Sequence, residues 1–376
     1  MIISILAVLF TFGLVIFLHE FGHFMVCKLV GIRVEEFSFG FGRELAGFTR
    51  GDTRYSVRLV PLGGYVKPAG ENLEEETAEG GKPEEPARPA EPAARAPYEY
   101  FAKPWYTRLG VVFAGPVMNY LLAFVLFSGV ILVMGAPRPS DSAVVGDVTQ
   151  GYPADAAGLK PGDKIVSVDG KAVGTWEQMA DAIHSRPEKE IALVYEREGA
   201  SAEVKLKTRL ASGAGSNGVI GIAPGVDYQR VPLLKGLRMG AYQCWYWTAF
   251  TVKTLASNIH KREKPDLAGP IGIVNIVSKA AHSGAADFFF LIGLISVAVG
   301  FFNLLPIPLL DGGWALLYLF EGVSRRKLTA GLMKYINAAG MAMLFAILLF
   351  ATYNDVMRIV SSHSAKKAAA AQEQEK

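Results

Sequence analysis

The sequence predicts an α-helical polytopic membrane protein with four transmembrane helices, a membrane-associated β-hairpin and one inserted soluble α+β domain. Of its 376 residues, 51% are hydrophobic and only 19% are charged, whereas soluble domains carry about 25% charged residues. The missing charges leave a few long uncharged runs, which are typical of membrane spans. Two distant cysteines exclude a disulfide scaffold, and a net charge of +3 is too small to indicate a nucleic-acid partner.

Four runs are long enough to cross a bilayer, which takes about 20 apolar residues. We expect these spans within residues 1–30, 104–136, 285–320 and 333–358. The first run lacks a basic amino-terminal segment and a small-residue cleavage site, so it is interpreted as a retained span rather than a signal peptide. A fifth uncharged run, 239–252, is too short to cross easily, and its aromatic residues favour an interfacial amphipathic helix over residues 232–264.

Two segments contain too few apolar residues to form a hydrophobic core. Residues 71–97 contain eight Glu and five Pro, which predicts a disordered acidic insert. The Ala-, Lys- and Glu-rich residues 361–376 predict a flexible tail.

In residues 31–70, apolar and polar side chains alternate with a period near two, which is typical of β-strands. Phe37, Phe39 and Phe41 alternate in the first half, and Gly51 with Asp52 suits a turn. We therefore expect a membrane-associated β-hairpin whose free edge can pair with an extended substrate. A plain cytoplasmic hairpin with no such role stays open as the alternative.

The strongest chemical signal is the run from His19 to His23, which reads HEFGH. On a helix the two histidines lie on one face, one turn apart. Two imidazoles so placed can bind one Zn²⁺, and Glu20 can take a proton from water beside the metal. A carboxylate inside the bilayer costs about 3 kcal/mol, which favours a functional role over snorkelling residues at a helix end.

Catalytic zinc sites have three protein ligands and one open position, and Asp311 is the best third candidate. It follows Pro306 and Pro308, which must bend or unwind the third span. Irregular backbone at membrane depth is tolerated only against protein or a wet cavity. A prolyl kink without function is the alternative. Cys27, one turn after His23, is interpreted as a core residue, and the remaining histidines are poor candidates: His184, His260, His282 and His363.

These motifs resemble the site-2 protease family of intramembrane zinc metalloproteases, and most closely its bacterial members of regulated proteolysis that carry a PDZ domain. HEFGH in a first span, NLLPIPLLDGG at 303–313, AGPVMN at 114–119 and AGPIGI at 268–273 all match the family pattern. The resemblance implies Zn²⁺ as cofactor, with His19, His23 and Asp311 as ligands and Glu20 as general base. It also implies that Asn303 helps to hold the substrate backbone. Trp314 departs from the pattern, since many relatives have His there, but that position is not an implied ligand.

Residues 141–225 resemble a single bacterial PDZ domain, through GYPA at 151–154, AGLKPGDKI at 157–165 and VDG at 168–170. Such domains capture extended chain ends by strand addition. In the arrangement that the resemblance implies, the carboxylate-binding loop consists of Gly218, Val219, Ile220, Gly221 and Ile222. The alternative is a filter that excludes substrates with bulky ectodomains and binds no ligand.

One metal site requires the carboxyl-terminal ends of the first and third spans to lie on one side of the membrane. Lys28, Arg33 and Lys103 then share that side, which the positive-inside rule makes cytoplasmic. We thus expect a multi-pass protein of the bacterial inner membrane, an active site near the cytoplasm and an extracytoplasmic PDZ domain.

The expected function is hydrolysis within or near the transmembrane segments of single-span proteins, after an earlier cleavage trims their ectodomains. By resemblance, the substrates are anti-sigma-factor-like proteins or remnant signal peptides. The alternative is a non-proteolytic PDZ-containing receptor or chaperone with a structural metal. Glu20 argues against it, because a structural site has no use for a base. A prenyl-protein processing protease would need a downstream Glu or His ligand in place of Asp311.

Overall fold

The structure is a computed structural model, and it describes residues 2–71, 95–210, 217–261, 269–326 and 330–374. Most of the predicted acidic insert, residues 72–94, lies outside this range. The chain forms two compact units. We call Met1–Val130 with Leu234–Lys376 the helical unit, and Ile131–Leu233 the inserted unit.

In the described chain, two long strands follow the first helix, short strands make up much of the inserted unit, and five helices come last. The helices are α1 (Ile2–Leu29), α2 (Trp105–Met134), α3 (Pro153–Ala156), α4 (Trp176–His184), α5 (Leu233–Lys261), α6 (Pro270–Ser283), α7 (Ala285–Asn303), α8 (Asp311–Ser324) and α9 (Ala330–Gln374). The strands are β1 (Val34–Arg50), β2 (Thr53–Pro68), β3 (Ala136–Pro139), β4 (Val145–Val148), β5 (Lys164–Val168), β6 (Lys171–Ala172), β7 (Glu190–Arg197), β8 (Ala200–Lys207), β9 (Arg209–Leu210), β10 (Gly218–Val219), β11 (Ile222–Pro224) and β12 (Val226–Gln229).

Four described helices are long and apolar enough to cross a membrane: Ile2–Leu29, Trp105–Met134, Ala285–Asn303 and Gly331–Arg358. They agree with the four predicted spans. The run at 239–252 is part of the 29-residue helix α5, which is not among the four. It packs on α2, where a Cβ on Gly240 would meet the Ser128 backbone nitrogen at 2.9 Å. Its predicted interfacial position stays a prediction.

The third predicted span, 285–320, is not one helix. Helix α7 ends at Asn303, and α8 begins at Asp311 after seven residues of irregular chain that contain both prolines. Unwinding at Pro306 and Pro308 was expected, because neither residue donates a backbone hydrogen bond. Asp311 therefore opens a separate helix instead of ending the span.

The predicted hairpin turns at Gly51 and Asp52, but the first part of β1 pairs with two different segments of β2. Phe37 of β1 lies opposite both Tyr55 and Val66 of β2. The first part of β1 is thus flanked by two segments of β2, and residues 64–68 form an outer edge of the sheet. Glycines at 40, 42, 63 and 64 interrupt the strands, which suits the bends that this arrangement needs.

Two features of the carboxyl-terminal region complete the helical unit. Buried Asp355 of α9 accepts hydrogen bonds from the backbone nitrogens of Gly269 and Gly272 at the start of α6, which satisfies two otherwise unpaired donors of that helix. Helix α9 continues to Gln374, and the flexible tail expected at 361–376 stays a prediction. Ala, Lys, Gln and Glu all have high helix propensity, which explains the extension.

The inserted unit has its own hydrophobic core around a four-stranded antiparallel sheet in the order β6-β5-β7-β8. Ile165, Leu193 and Met179 are almost completely buried in that core. Strand β11 pairs with β4 and β12 pairs with β3. Helix α4 begins at Thr175, whose hydroxyl accepts the Gln178 backbone N–H as an N-cap.

Candidate active site

Three of the residues that the sequence singled out converge on one point of the helical unit. His19 and His23 come from α1, and Asp311 is the first residue of α8. The His19 Nε2 atom lies 3.3 Å from His23 Nε2 and 3.2 Å from Asp311 Oδ2. The distance from His23 Nε2 to Asp311 Oδ1 is 3.6 Å. One ligand atom from each of the three side chains lies within 4.8 Å of the other two, so His19, His23 and Asp311 form a group that could hold a metal ion.

The outer nitrogen of each histidine is held by α2. His23 Nδ1–H donates to the Val111 carbonyl at 2.8 Å, which leaves Nε2 unprotonated and free to bind a metal. The Asn119 amide lies 3.2 Å from His19 Nδ1. Its Oδ1 atom is buried without a partner. A half-turn of the Asn119 amide lets Oδ1 accept the Nδ1 proton, which directs His19 Nε2 to the same point.

The donor set and its spacing fit Zn²⁺. Zinc binds imidazole nitrogen and carboxylate oxygen at about 2.0–2.2 Å, so two ligands of a tetrahedral ion are separated by about 3.3 Å. The distances among His19, His23 and Asp311 are close to this value. Asp311 Oδ2 is also buried without a hydrogen-bond donor, as expected for an oxygen that a cation would satisfy. Three protein ligands leave the fourth position open.

Close packing between α1 and α2 holds the histidines in place. A Cβ on Gly115 of α2 would lie 2.3 Å from His23 Nε2 and 2.7 Å from His19 Cε1. A Cβ on Gly22 of α1 would lie 2.4 Å from the Ala114 carbonyl oxygen. Only glycine fits at these two positions without displacing the neighbouring atoms.

Glu20 and Asn303 lie beside the ligand set. The backbone of Val66 forms a hydrogen bond to the Glu20 carboxylate. A Cβ on Gly64 would come within 3.4 Å of Glu20 Cγ, so the outer segment of β2 runs directly past this carboxylate. Asn303 Nδ2, at the end of α7, is 3.4 Å from His19 Nε2.

Helix α8, which carries Asp311, is fixed at both ends. Before it, Leu309 has a φ of +74°, an unusual conformation for a bulky residue. Near its other end, Glu321 accepts a 2.6 Å hydrogen bond from the buried Arg108 of α2. The Arg108 guanidinium also lies over the Tyr318 ring, with 4.6 Å to the ring centroid.

The ligand atoms face a cavity of about 370 Å³. It is lined by the four motif residues His19, Glu20, His23 and Asp311, by Asn303, and at another side by Cys27, Glu71, Tyr100, Trp314 and Tyr318. The Glu71 side chain is open to the cavity, and the protein around it raises its pKa to about 7 through desolvation. Cys27 is fully buried and packs in a hydrophobic cluster, in line with its interpretation as a core residue.

The five consecutive residues of the expected carboxylate-binding loop, 218–222, belong to the inserted unit. Val219, Ile220, Gly221 and Ile222 line a groove of about 490 Å³ beside α4, while Gly218 is in β10. Met179 and Ile183 of α4 also line this groove.

Sequence reasoning missed the supporting residues on α2. Asn119 was noted only as part of AGPVMN, although a polar residue inside an apolar span is itself a signal of a buried role. Gly115 belongs to the same motif, and its close contact with both histidines has no sequence signal besides its small size. No sequence motif singles out Arg108.

Comparisons with known proteins agree with the metal site. The model of Peptidase family M50 matches residues 7–347. Metalloprotease MmpA of Caulobacter vibrioides is 31% identical, and the alignment covers 95% of this chain and 96% of that protein. The regulator of sigma-W protease RasP of Bacillus subtilis is 27% identical, with 95% and 99% covered.

Another relative is the zinc metalloprotease RasP of Geobacillus kaustophilus, which is 29% identical over 94% of this chain and 98% of that protein. Among solved structures, the PDZ domain of an SdrC-like protein from Listeria monocytogenes matches 22% of this chain and 85% of its own, with 26% identity and a TM-score of 0.20. The family match spans both halves of the metal site, from HEFGH to Asp311. The chain therefore belongs to peptidase family M50, the metalloproteases of the site-2 type.

Proposed function

We propose that this metalloprotease cuts single-span membrane proteins within or near their transmembrane segments, with Glu20 as the general base. The observation that carries the proposal is the convergence of His19, His23 and Asp311 within helices of membrane-spanning length. The base is next to the ligands on α1 and lines the same cavity.

Zinc bound to these three side chains supplies a Lewis acid for amide hydrolysis. Glu20 accepts a proton from the attacking water and later gives it to the leaving amine. The hydrogen bond from the Val66 backbone holds the carboxylate in place. The Asn303 amide, 3.4 Å from His19 Nε2, is placed to donate a hydrogen bond to the substrate backbone beside the scissile bond.

A transmembrane helix hides its amides in hydrogen bonds and must be extended before it is cut. The outer segment of β2, residues 64–68, runs beside Glu20. An unwound substrate can add to this edge as a further strand, since backbone pairing needs no particular sequence. The location of this edge favours a substrate role over a plain cytoplasmic hairpin.

Membrane-bound anti-sigma-factor-like proteins are one substrate class, in keeping with the name of the Bacillus subtilis relative. Remnant signal peptides are another, because both are short single spans. Prior trimming of the ectodomain fits either class. By the positive-inside rule, the ends of α1 and α7 near the site lie on the cytoplasmic side of the inner membrane, and the inserted unit lies outside the cytoplasm.

The inserted unit acts as a PDZ domain that either docks an extended chain end or excludes bulky ectodomains. The groove between α4 and residues 219–224 supports docking, because an extended peptide could lie against β11. The exclusion role is tested with reporters whose ectodomains increase in size, since a size filter should reduce the cleavage of the larger ones. Replacing Ile183 by Lys in the groove tests docking, and loss of cleavage only for reporters with a free chain end would support it.

A structural metal in a non-proteolytic receptor is the rival function. The two functions differ in the need for Glu20: a non-proteolytic receptor would keep its zinc without Glu20 and would cleave no reporter with or without it. The test is cleavage of a single-span reporter in membranes by wild type and Glu20→Gln. Zinc retained with cleavage lost supports the protease, and equal cleavage by both proteins refutes Glu20 as the base.

A further inference from the structure

Glu71 is a second carboxylate of the catalytic cavity, and the mechanism above does not use it. It follows β2 directly, at a point where the backbone is fixed. The Ala69 backbone N–H donates to the Arg33 carbonyl at 2.8 Å, and the Ala69 carbonyl accepts the Tyr100 backbone N–H at 2.8 Å. Gly70 then turns the chain with a φ of +69°. These contacts hold Glu71 at the cavity wall.

The Glu71 carboxylate forms no ion pair or hydrogen bond within the part of the chain that the structure describes. The charged groups that act on it are His23, Glu20 and Lys67. Of these, Lys67 is 3.3 Å from the carboxylate of Glu35. The raised pKa of Glu71 agrees with a carboxylate that lacks a close cation of its own.

Three aromatic residues also line the cavity, and Glu71 acts electrostatically on two of them, Tyr100 and Tyr318. Trp314 and Tyr318 lie one turn apart on α8, with ring centroids 6.0 Å apart, and Tyr100 lies 6.2 Å from Tyr318. Arg108 covers one face of Tyr318, but its charge is paired with Glu321. Trp314 is only partly buried and lines the same cavity as Glu71. An indole and a carboxylate that face one cavity favour an organic cation.

The proposed substrates provide such a cation. The cytoplasmic flank of a transmembrane segment is enriched in Lys and Arg. When the scissile bond lies at Glu20 and Asn303, the rest of the substrate chain must continue along the cavity wall. Glu71, in the segment before α2, and Trp314, on α8, are part of that wall.

We propose that Glu71 and Trp314 form a subsite that binds a lysine or arginine side chain of the substrate, on the cytoplasmic side of the scissile bond. The inference rests on the proposed function. It adds a positional requirement: a basic residue at a set distance from the cut accelerates cleavage, and an acidic residue there slows it.

The test uses full-length protein in membranes and single-span reporters that differ only in one flank residue, Lys, Gln or Glu, moved one position at a time. Wild type should cleave the best Lys reporter about tenfold more efficiently than its Gln counterpart. Glu71→Gln should cleave the Lys and Gln reporters with equal efficiency. Glu71→Lys should prefer the Glu reporter. Glu35→Gln is the matched control, since Glu35 is a neighbouring acid outside the cavity lining.

A binding measurement separates this inference from the proposed function. In the Glu20→Gln background, the Lys reporter should bind about tenfold more tightly than the Gln reporter, and adding Glu71→Gln should abolish the difference. The subsite is refuted if wild type shows no preference at any position, or if Glu71→Gln keeps the preference for the Lys reporter. Absence of cleavage with the binding preference intact would instead refute the protease.

Discussion

A Cβ added at Gly115 of α2 would meet both of the candidate metal-binding histidines. We predict that Gly115→Ala loses zinc and proteolysis, because its Cβ would lie 2.3 Å from His23 Nε2. Zinc content of the purified protein is the measurement. Gly110→Ala and Gly129→Ala are matched controls in the same helix, since nothing lies within 4 Å of a Cβ at either position. Full zinc occupancy in Gly115→Ala would contradict the prediction.

Asn119 sets the orientation of His19 through the 3.2 Å contact with Nδ1. We predict that Asn119→Ala weakens zinc binding about 10- to 100-fold, which is typical for a partner behind a metal ligand. Asn119→Asp keeps an acceptor for the Nδ1 proton and should bind more zinc than Asn119→Ala. Competition with a chelator measures both affinities, and equal values for the two variants would argue against an acceptor role.

At the scale of single residues, the sequence could predict those site residues that are brought together by their spacing within one helix. The four-residue spacing in HEFGH places His19 and His23 together on any helix, and the structure keeps that arrangement. Asn119 and Gly115 depend on how α2 packs against α1, which no short pattern encodes. Glu71 was assigned to a disordered insert because of the acidic residues that follow it.

Helix α8 positions a metal ligand at its first residue and an anchor at its eleventh. The anchor is the ion pair between buried Arg108 and partly buried Glu321, and the Arg108 Nη1 atom has no hydrogen-bond partner. We predict that Arg108→Ala lowers stability by about 1–3 kcal/mol, because it leaves a partly buried carboxylate unpaired. It should also weaken zinc binding, since α8 would lose its anchor.

The double variant Arg108→Met with Glu321→Leu is the control for that prediction. Replacing a buried pair by apolar side chains of similar volume is often neutral for stability. We expect its thermal unfolding midpoint in detergent to recover most of the loss. A midpoint as low as that of Arg108→Ala would mean that packing, rather than an unpaired charge, causes the instability.

The β-sheet beside the active site illustrates what an element-scale pattern can and cannot predict. Alternation near Phe37, Phe39 and Phe41 and the turn at Gly51 predicted two strands correctly. Strand β2 also pairs with the other edge of β1, so that Val66 and Tyr55 lie on opposite sides of Phe37. This second pairing depends on bends at glycines, which an alternating pattern does not encode. Unwinding before Asp311 was predictable, because proline lacks a donor, but the new helix after it was not.

For the molecule as a whole, the inserted unit has its own core and should titrate independently. The Arg197 guanidinium lowers the pKa of Asp163, which is almost completely buried. The ionised pair therefore stabilises the fold above the unfolded pKa of about 3.9, and that contribution is lost as pH falls through the lower folded pKa. We predict that the unfolding midpoint of residues 131–233 drops more steeply below pH 4 in wild type than in Asp163→Asn.

Asp163→Asn should also have a lower midpoint at neutral pH, where the wild-type pair is fully ionised. Asp227→Asn is the control, because Asp227 is exposed on β12. Parallel pH profiles for wild type and Asp163→Asn would exclude the pair as the source of the acid sensitivity.

The order of spans and the inserted domain was predictable from charge distribution alone, because long uncharged runs and a normally charged stretch differ over tens of residues. The two-unit organisation follows the same division. What composition could not provide is the common role of α2, which contacts His19 through Asn119 and His23 through Val111, and holds α8 through Arg108.

The separation of Asp311 from HEFGH along the chain has a consequence for biosynthesis. A ribosome releases α1 with both imidazoles long before it has made α8. The nascent protein therefore passes through most of its synthesis with an incomplete ligand set. With the proposed ligand set, hydrolytic capacity would arise only after the segment with Asp311 has been inserted, so neighbouring membrane proteins would not be exposed to an incomplete enzyme.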